Sequence, residues 1–197
     1  SEEMVKTMKP GSVIVDLAVE QGGNCPLSEV GKVVSKYGVK LVGHTNVPSR
    51  IAVDATALYA RNLVNYLQPL IDKETADDHC YQIAGDSYLA LDQKKEAEKI
   101  YRKGIRKVSN NGALYNELGQ LLWSQGDYSA IKQWEKGIES DPAYPGNYYN
   151  AARYYYLTTD RVWSLIYGEI FLNMDPQNAS APEVKNFLFE GYKKLFA

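Results

Sequence analysis

The spacing of apolar residues changes along the chain and divides it into two segments. Before about residue 74, apolar residues come in two continuous runs, SVIVDLA at 12–18 and VKLVGHTNV at 39–47. Continuous runs rich in β-branched residues are typical of strands buried on both faces of a parallel sheet. Within this first segment, the pattern also predicts a short helix around 27–37 and a longer helix from Pro48 to about Ile71.

Helical spacing and an internal repeat follow a short polar junction at 72–77. The Asp-Pro pairs that begin at Asp141 and Asp175 lie 34 residues apart. Small residues recur with nearly the same period at two positions, which are Gly85, Gly119 and Ala152, and Ala97, Ala130 and Ser164. Small residues let two helices approach closely, and this period is typical of stacked helical hairpins. The pattern therefore predicts hairpins over 78–176, followed by one amphipathic helix over 180–196.

This second segment resembles the tetratricopeptide repeat family, most clearly in GDYSAIKQWEKGIESDP at 126–142. The resemblance implies a solenoid that binds a protein or an extended peptide on its concave face, which the first helix of each repeat lines. In that register the groove residues are Gln82, Asp86, Asn116, Gln120, Trp123, Tyr149, Arg153 and Tyr156.

Arg153 is the strongest candidate contact in this groove. Tyr149, Arg153 and Tyr156 are spaced to share one face of a helix. A guanidinium between tyrosines suits a ligand carboxylate, since Arg and aromatic residues are frequent anchors of interfaces. We expect Asn116 and Gln120 to support the guanidinium from the neighbouring repeat.

Three strings in the first segment, MKPGSVIVDLAVEQGGNCP, GVKLVGHTNVPSR and ALYARNLVNYL, closely resemble the NAD-binding domain of the proton-translocating NAD(P) transhydrogenase alpha subunit. That domain is related to alanine dehydrogenase, and the resemblance covers 1–73. It implies the later portion of a Rossmann-type domain, in which the loops after the two strands approach the nicotinamide end of NAD. The matching positions are Leu17, Ala18, Glu20, Gly22 and Gly23 in the first loop and Asn46, Val47 and Pro48 in the second.

The rest of a dinucleotide site has no counterpart in the sequence. Such a site needs a glycine-rich turn at a helix N-terminus for the pyrophosphate, and an acidic residue further on for the ribose. No G-x-G-x-x-G occurs in the sequence. We therefore expect this chain to bind no cofactor by itself, and NAD only within the complete family domain. We also predict no catalytic residue and no metal site, and without the resemblance Asp16 and Glu20 are interpreted as strand-end residues that face water.

Composition and charge narrow the range of partners. Lys and Arg number 22 and Asp and Glu number 24, a nearly neutral balance that argues against a nucleic-acid ligand. No apolar stretch reaches the roughly 18 residues that a membrane helix needs, so direct membrane insertion is not expected. Two cysteines cannot form a disulfide framework, which makes the cytoplasm the expected compartment.

Together these observations predict a mainly α chain. A tetratricopeptide solenoid of three repeats and a capping helix occupies 75–197, preceded by a partial α/β Rossmann-type segment at 1–74. Two functions stay open at this point. One is a non-catalytic module that binds a protein or peptide. The other is a fragment of an NAD(P) transhydrogenase alpha subunit, whose family couples hydride transfer between NADH and NADP to proton translocation, and which is active only with its missing portions. Whether this mosaic of two segments is a natural fusion also stays open.

Overall fold

The computed structural model of the protein describes residues 1–158 and 160–195. The chain forms two compact units, one from Ser1 to Thr56 and one from Ala57 onward. The domain boundary predicted at residue 74 marks the point where the resemblance of the first segment ends and that of the second begins, and it remains a prediction. Phe196, at the end of the predicted final helix, lies outside the described residues.

The first unit is built on a sheet of three strands, β1 (Val13–Val15), β2 (Val33–Lys36) and β3 (Val39–Val42). The central strand is β3, which pairs parallel to β1 and antiparallel to β2. Val39 and Leu41 of β3 are fully buried. A short helix, α1 (Glu2–Lys6), adds Val5 to their apolar cluster. The two strands predicted from the apolar runs, and their parallel pairing, are thus confirmed.

The predicted helix around 27–37 is wrong, because β2 occupies the second half of this stretch. Its apolar residues recur at helical spacing, but Tyr37 and Gly38 adopt positive φ angles of 53° and 76°. A two-residue loop of this kind has the twist that joins adjacent antiparallel strands. Val33 and Val34 also favour a strand, since both are β-branched. A hairpin therefore forms where the spacing alone indicated a helix.

A long helix follows the sheet, as predicted, but it is interrupted near its start. Helix α2 (Val47–Arg50) is separated from helix α3 (Ala52–Asp72) by Ile51. The φ of −130° and ψ of 45° at Ile51 are not helical. The later turns of α3 contribute Leu67 and Ile71 to the core of the second unit.

The remaining helices of the second unit are α4 (Asp78–Ala90), α5 (Lys94–Lys107), α6 (Gly112–Ser124), α7 (Ala130–Ser140), α8 (Pro145–Thr158), α9 (Arg161–Met174) and α10 (Ala181–Leu195). They pack as successive hairpins, α4 with α5, α6 with α7 and α8 with α9, and α10 packs against α8 and α9. The tetratricopeptide-type solenoid with a closing helix is thus confirmed. In the described residues of the chain, no helix is long and apolar enough to cross a membrane.

The small residues of the repeat lie where the two helices of each hairpin meet. A Cβ on Gly85 would overlap the ring of Tyr101, and a Cβ on Gly119 would overlap the indole of Trp134. In the third hairpin, Ser164 is buried and its hydroxyl donates a 2.9 Å hydrogen bond to the carbonyl of an equivalent small residue, Ala152. The period read from the sequence therefore marks the helix contacts that define the fold.

Candidate functional site

Polar side chains one repeat apart link the first helices of the repeats to one another. Gln82 of α4 donates to Glu117 Oε1 of α6 at 3.4 Å. Asn150 of α8 donates to Asn116 Oδ1 of α6 at 2.7 Å. The partners in each pair are 35 and 34 residues apart. The predicted groove residues Gln82 and Asn116 thus lie on one continuous face of the array.

Helix α10 extends this face. Tyr149 of α8 donates a 2.7 Å hydrogen bond to Glu183 Oε2 of α10, again 34 residues away. This helix, predicted as a cap, therefore holds the position that the first helix of a further repeat would take. Sequence reasoning missed Glu117, Asn150 and Glu183 as members of the face. The 34-residue period gave a signal for Glu183, since it falls one period after Tyr149.

The portion of the face on α4 and α6 is acidic. Glu117 is half-buried and accepts hydrogen bonds from the side-chain amides of Gln82 and Asn116. Burial raises the pKa of Glu117, and the negative charge of Asp86 raises it further. Exposed Asp86 accepts a 2.6 Å hydrogen bond from the hydroxyl of Tyr101. Across 1–158 and 160–195, no salt bridge involves either carboxylate.

Arg153 lies at the other end of the face, beside α10. Its Nε is 3.7 Å from Glu183 Oε1, and the two side chains are 44% and 42% exposed. Tyr149 donates to the second oxygen of the same carboxylate. The ring of Tyr156 stacks on Phe187 of α10, with centroids 4.3 Å apart. The tyrosines on either side of Arg153 thus pack largely against neighbouring helices.

The remaining predicted groove residues differ in how far they are exposed to solvent. Trp123 is half-buried in an aromatic cluster, with its ring centroid 5.3 Å from that of Tyr154 and 6.3 Å from that of Trp134. Gln120 is exposed. Asn116 is held by its neighbours Asn150 and Glu117, and therefore does not support Arg153 directly.

The predicted cofactor positions of the first unit lie in two loops. The loop after β1 folds around Asp16, which is 3% exposed. Its carboxylate accepts hydrogen bonds of 3.0–3.2 Å from the backbone N–H groups of Ala18, Asn24 and Cys25. These bonds lower the pKa of Asp16. The interpretation of Asp16 as a solvated residue is therefore wrong, because the loop closes over it.

Glycine makes this closure possible. Gly22 and Gly23 have φ angles of 99° and 73°, a region that residues with a Cβ rarely adopt. A Cβ on Gly23 would also overlap Asp16 Oδ2. The two glycines of the predicted cofactor loop are thus required by its conformation.

A hydrogen bond joins the two loops that carry the predicted cofactor positions. Glu20 Oε1 accepts from the backbone N–H of Asn46 at 2.6 Å. Asn46 has left-handed backbone angles and precedes α2, in which Val47 and Pro48 are the first residues. Leu17, at 73% exposure, lies beside a cavity of about 390 Å³ that Met4 and Cys25 also line. Apolar side chains therefore form much of the wall of this cavity beside the first loop.

Comparison with known proteins supports two separate likenesses. Residues 1–86 match the family described as "Alanine dehydrogenase/PNT, C-terminal domain". An NAD(P) transhydrogenase subunit alpha chain of Rhodospirillum rubrum is 71% identical over 75 residues, which are 38% of this chain and 20% of that protein. NAD(P) transhydrogenase subunit alpha of Haemophilus influenzae is 52% identical over 71 residues, or 36% and 14% of the two chains. The chain thus spans a fifth or less of the length of these relatives.

The helical array has a different likeness. The crystal structure of MamA superposes with a TM-score of 0.51 at 19% identity, covering 68% of this chain and 85% of that one. At this identity the likeness concerns the fold alone. The chain therefore joins a segment similar to the alanine dehydrogenase and transhydrogenase C-terminal domain to a helical array with a tetratricopeptide-type fold.

Proposed function

We propose that the helical array binds an extended peptide segment of a partner protein along the face formed by α4, α6, α8 and α10. The observation that carries this proposal is the row of hydrogen bonds between these helices, from Gln82 to Glu183. It holds polar side chains in fixed positions before a ligand arrives. Fixed side chains lose little conformational entropy on binding, which favours affinity.

The charges along this face define the ligand. Asp86 and Glu117 present negative charge at one end, and Arg153 presents positive charge two helices away. Neighbouring helix axes lie about 8–10 Å apart and an extended chain advances about 3.3 Å per residue. A peptide therefore needs about five or six residues to reach from Asp86 to Arg153. The fitting ligand carries a lysine or arginine at one end and a carboxylate at the other.

Glu183 does not prevent this use of Arg153. An ion pair between two side chains that are both about 40% exposed is worth about 0–1 kcal/mol. A charge-assisted hydrogen bond from arginine to a ligand carboxylate is worth about 1.5–3 kcal/mol. A bound peptide would shield the guanidinium from water, and it could then exchange Glu183 for the ligand at a net gain.

A matched pair of peptides tests the proposal. The first has about six residues, an N-terminal lysine, serine and alanine between, and a free C-terminal carboxylate. The second has the same sequence, with both amino groups of the lysine acetylated and a C-terminal amide. Titration calorimetry on the full chain should show binding of the first peptide only. The double change Asp86→Asn with Glu117→Gln should weaken it by about tenfold, whereas Glu139→Gln on α7 should leave it unchanged. Equal binding of the two peptides, or none of the first, overturns the proposal.

The similarity of the first unit supports a second candidate function. We propose that 1–74 supplies the nicotinamide side of a transhydrogenase-type NAD site, with the loops joined by Glu20 and Asn46 as its wall. A site of that kind would take part in hydride transfer between NADH and NADP only when the glycine-rich turn is also present. We also propose a cytoplasmic location, since two cysteines are too few for a disulfide framework.

Titration with NADH tests this second candidate. The chain alone should show no binding at micromolar NADH, since nothing in its sequence holds the pyrophosphate. Addition of the portion of the R. rubrum subunit that precedes the matched segment should restore binding. Glu20→Ala should then weaken it, because the two loops lose their link. Micromolar binding of NADH by the chain alone would show that the two loops are sufficient for binding. Absence of NADH binding after the addition would exclude the second candidate function.

A further inference from the structure

A hollow of about 190 Å³ lies between the C-terminal turns of α8 and α10 and the first residue of α9. Its lining consists of Tyr156, Leu157, Arg161, Glu190, Gly191 and Lys194. A pocket that takes a drug-sized ligand has a volume of roughly 300–1,000 Å³. The hollow is smaller than that, and its size therefore suits a small metabolite.

Gly191 keeps the hollow open. A Cβ on Gly191 would lie 2.7 Å from Leu165 Cδ2, so the packing of α10 on α9 requires glycine at this position. Trp123 lies two periods of 34 residues earlier. Its ring packs against those of Tyr128 and Tyr154, with centroids 5.6 Å and 5.3 Å away. Aromatic rings thus occupy the equivalent corner of the second hairpin, where α6, α7 and α8 meet, whereas the corner of the third hairpin is accessible.

Three charged side chains, of both signs, line the hollow. Arg161 begins α9, and Glu190 and Lys194 lie one helical turn apart on α10. Within the described ranges 1–158 and 160–195, none of the three forms a salt bridge. Arg161 and Glu190 are half-buried, so each has lost part of its hydration without gaining a charged partner. A ligand that supplies the opposite charges would compensate for this loss.

The N-terminus of α9 adds positive charge beside Arg161. The first N–H groups of a helix have no partner within the helix, and the side chain of the N-cap residue Asp160 makes no hydrogen bond to them. A helix terminus of this kind favours a carboxylate, and a guanidinium can hold both oxygens of one carboxylate. Lys194 offers a second anion position, but as a point charge on a flexible side chain.

We propose that this hollow binds a free amino acid with an acidic side chain, aspartate or glutamate. The two carboxylates and one ammonium of such a ligand are the complement of Arg161, Lys194 and Glu190. One carboxylate pairs with Arg161, the other with Lys194, and the ammonium pairs with Glu190. Because Lys194 is exposed to water, the affinity is in the millimolar range. The proposal does not rest on the peptide groove.

Heteronuclear NMR titration of the isotope-labelled full chain tests the proposal with four ligands. L-Glutamate and L-aspartate carry all three charges, glutarate lacks the ammonium, and L-glutamine lacks the second carboxylate. The amide signals of Arg161 and Gly191 should shift on addition of glutamate or aspartate. The better of these two should bind about tenfold more tightly than glutarate or glutamine, since each of those forms one charge-assisted contact fewer. Absence of a shift at both residues, or equal binding of all four ligands, overturns the proposal.

Two charge-removing variants test the roles of the residues. Arg161→Gln should weaken glutamate and glutarate alike, by about tenfold. Glu190→Gln should weaken glutamate but not glutarate, so that the preference between these two ligands disappears. Arg106→Gln removes an exposed guanidinium of α5 and is the matched control, which should change nothing. Circular dichroism should show unchanged helix content in all three variants. Glutamate binding that survives Arg161→Gln overturns the proposal, and so does a preference over glutarate that survives Glu190→Gln.

Discussion

The hydroxyl of Tyr149 donates a 2.7 Å hydrogen bond to the Glu183 carboxylate, 34 residues later. That spacing is the period of the repeat itself. The other oxygen of the same carboxylate lies 3.7 Å from Arg153 Nε. Glu183 thus sets both the position of the last helix and the availability of the arginine in the proposed groove.

Removal of the Glu183 charge should strengthen binding of a peptide carboxylate. Glu183→Gln keeps an acceptor for Tyr149 but no longer attracts Arg153. Because an exposed ion pair is worth about 0–1 kcal/mol, we expect a gain in affinity of up to about fivefold for the lysine peptide with a free C-terminus. Calorimetry measures it, with Glu190→Gln on the same helix as control. Weaker binding by Glu183→Gln would show that the Glu183 carboxylate favours binding of the peptide.

Arg153→Ala should weaken binding of the same peptide by about tenfold to a hundredfold, since a charge-assisted hydrogen bond contributes about 1.5–3 kcal/mol. Helix content should not change, because the side chain is 44% exposed. Arg102→Ala removes a guanidinium that pairs with Glu98 within α5, and should have little effect. An Arg153→Ala chain that binds as tightly as the parent, or that unfolds, would contradict the assignment.

Gly119→Ala should destabilise the array. The added Cβ would overlap Trp134, which is 2% exposed and donates a hydrogen bond to the Asn116 carbonyl. We expect a loss of about 1–3 kcal/mol in the free energy of unfolding, against a gain of about 1 kcal/mol from helix propensity. Urea denaturation measures the difference. Gln120→Ala, at the exposed neighbouring position, should stay within about 0.5 kcal/mol of the parent. If Gly119→Ala is as stable as the parent chain, the indole of Trp134 must shift to make room for the added methyl group.

The pH dependence of stability should report on Glu117. Burial and Asp86 raise the pKa of this carboxyl group, so the folded state holds its proton to a higher pH than the unfolded state does. The ionised form therefore lowers the stability at neutral pH, and Glu117→Gln should be more stable than the parent there. The advantage should shrink as the pH falls from the folded-state pKa towards the ordinary glutamate value of 4.5. Thermal or urea unfolding across this pH range, with Glu139→Gln as control, measures it. A pH-independent difference would exclude this account.

The repeat could be predicted from the sequence because it requires small residues at fixed positions. Gly85 and Gly119 have no space for a Cβ, and such positions recur with the period whatever the surface residues are. The polar face was only partly predictable. Gln82 and Asn116 followed from the helical register, and Asn150 falls one period after Asn116. Glu117 lies 35 residues after Gln82, so this contact depends on how far one helix is shifted along the next.

Local spacing also failed where distant contacts decide the structure. The strand β2 forms because Tyr37 and Gly38 turn it back onto β3, although its apolar residues are spaced as in a helix. Asp16 is buried because the loop that follows it returns with three backbone N–H groups. A single sequence carries no direct signal for either contact.

The burial of Leu67 and Ile71 against the first repeat has a practical consequence for fragment design. These α3 side chains are 6% and 1% exposed and share a cluster with Tyr81. A polypeptide cut at the polar junction would begin with this apolar surface uncovered, and exposed surface of that kind promotes aggregation. Expression of the array by itself should therefore start no later than Ala57, even though this leaves the last turns of a helix from the preceding segment attached.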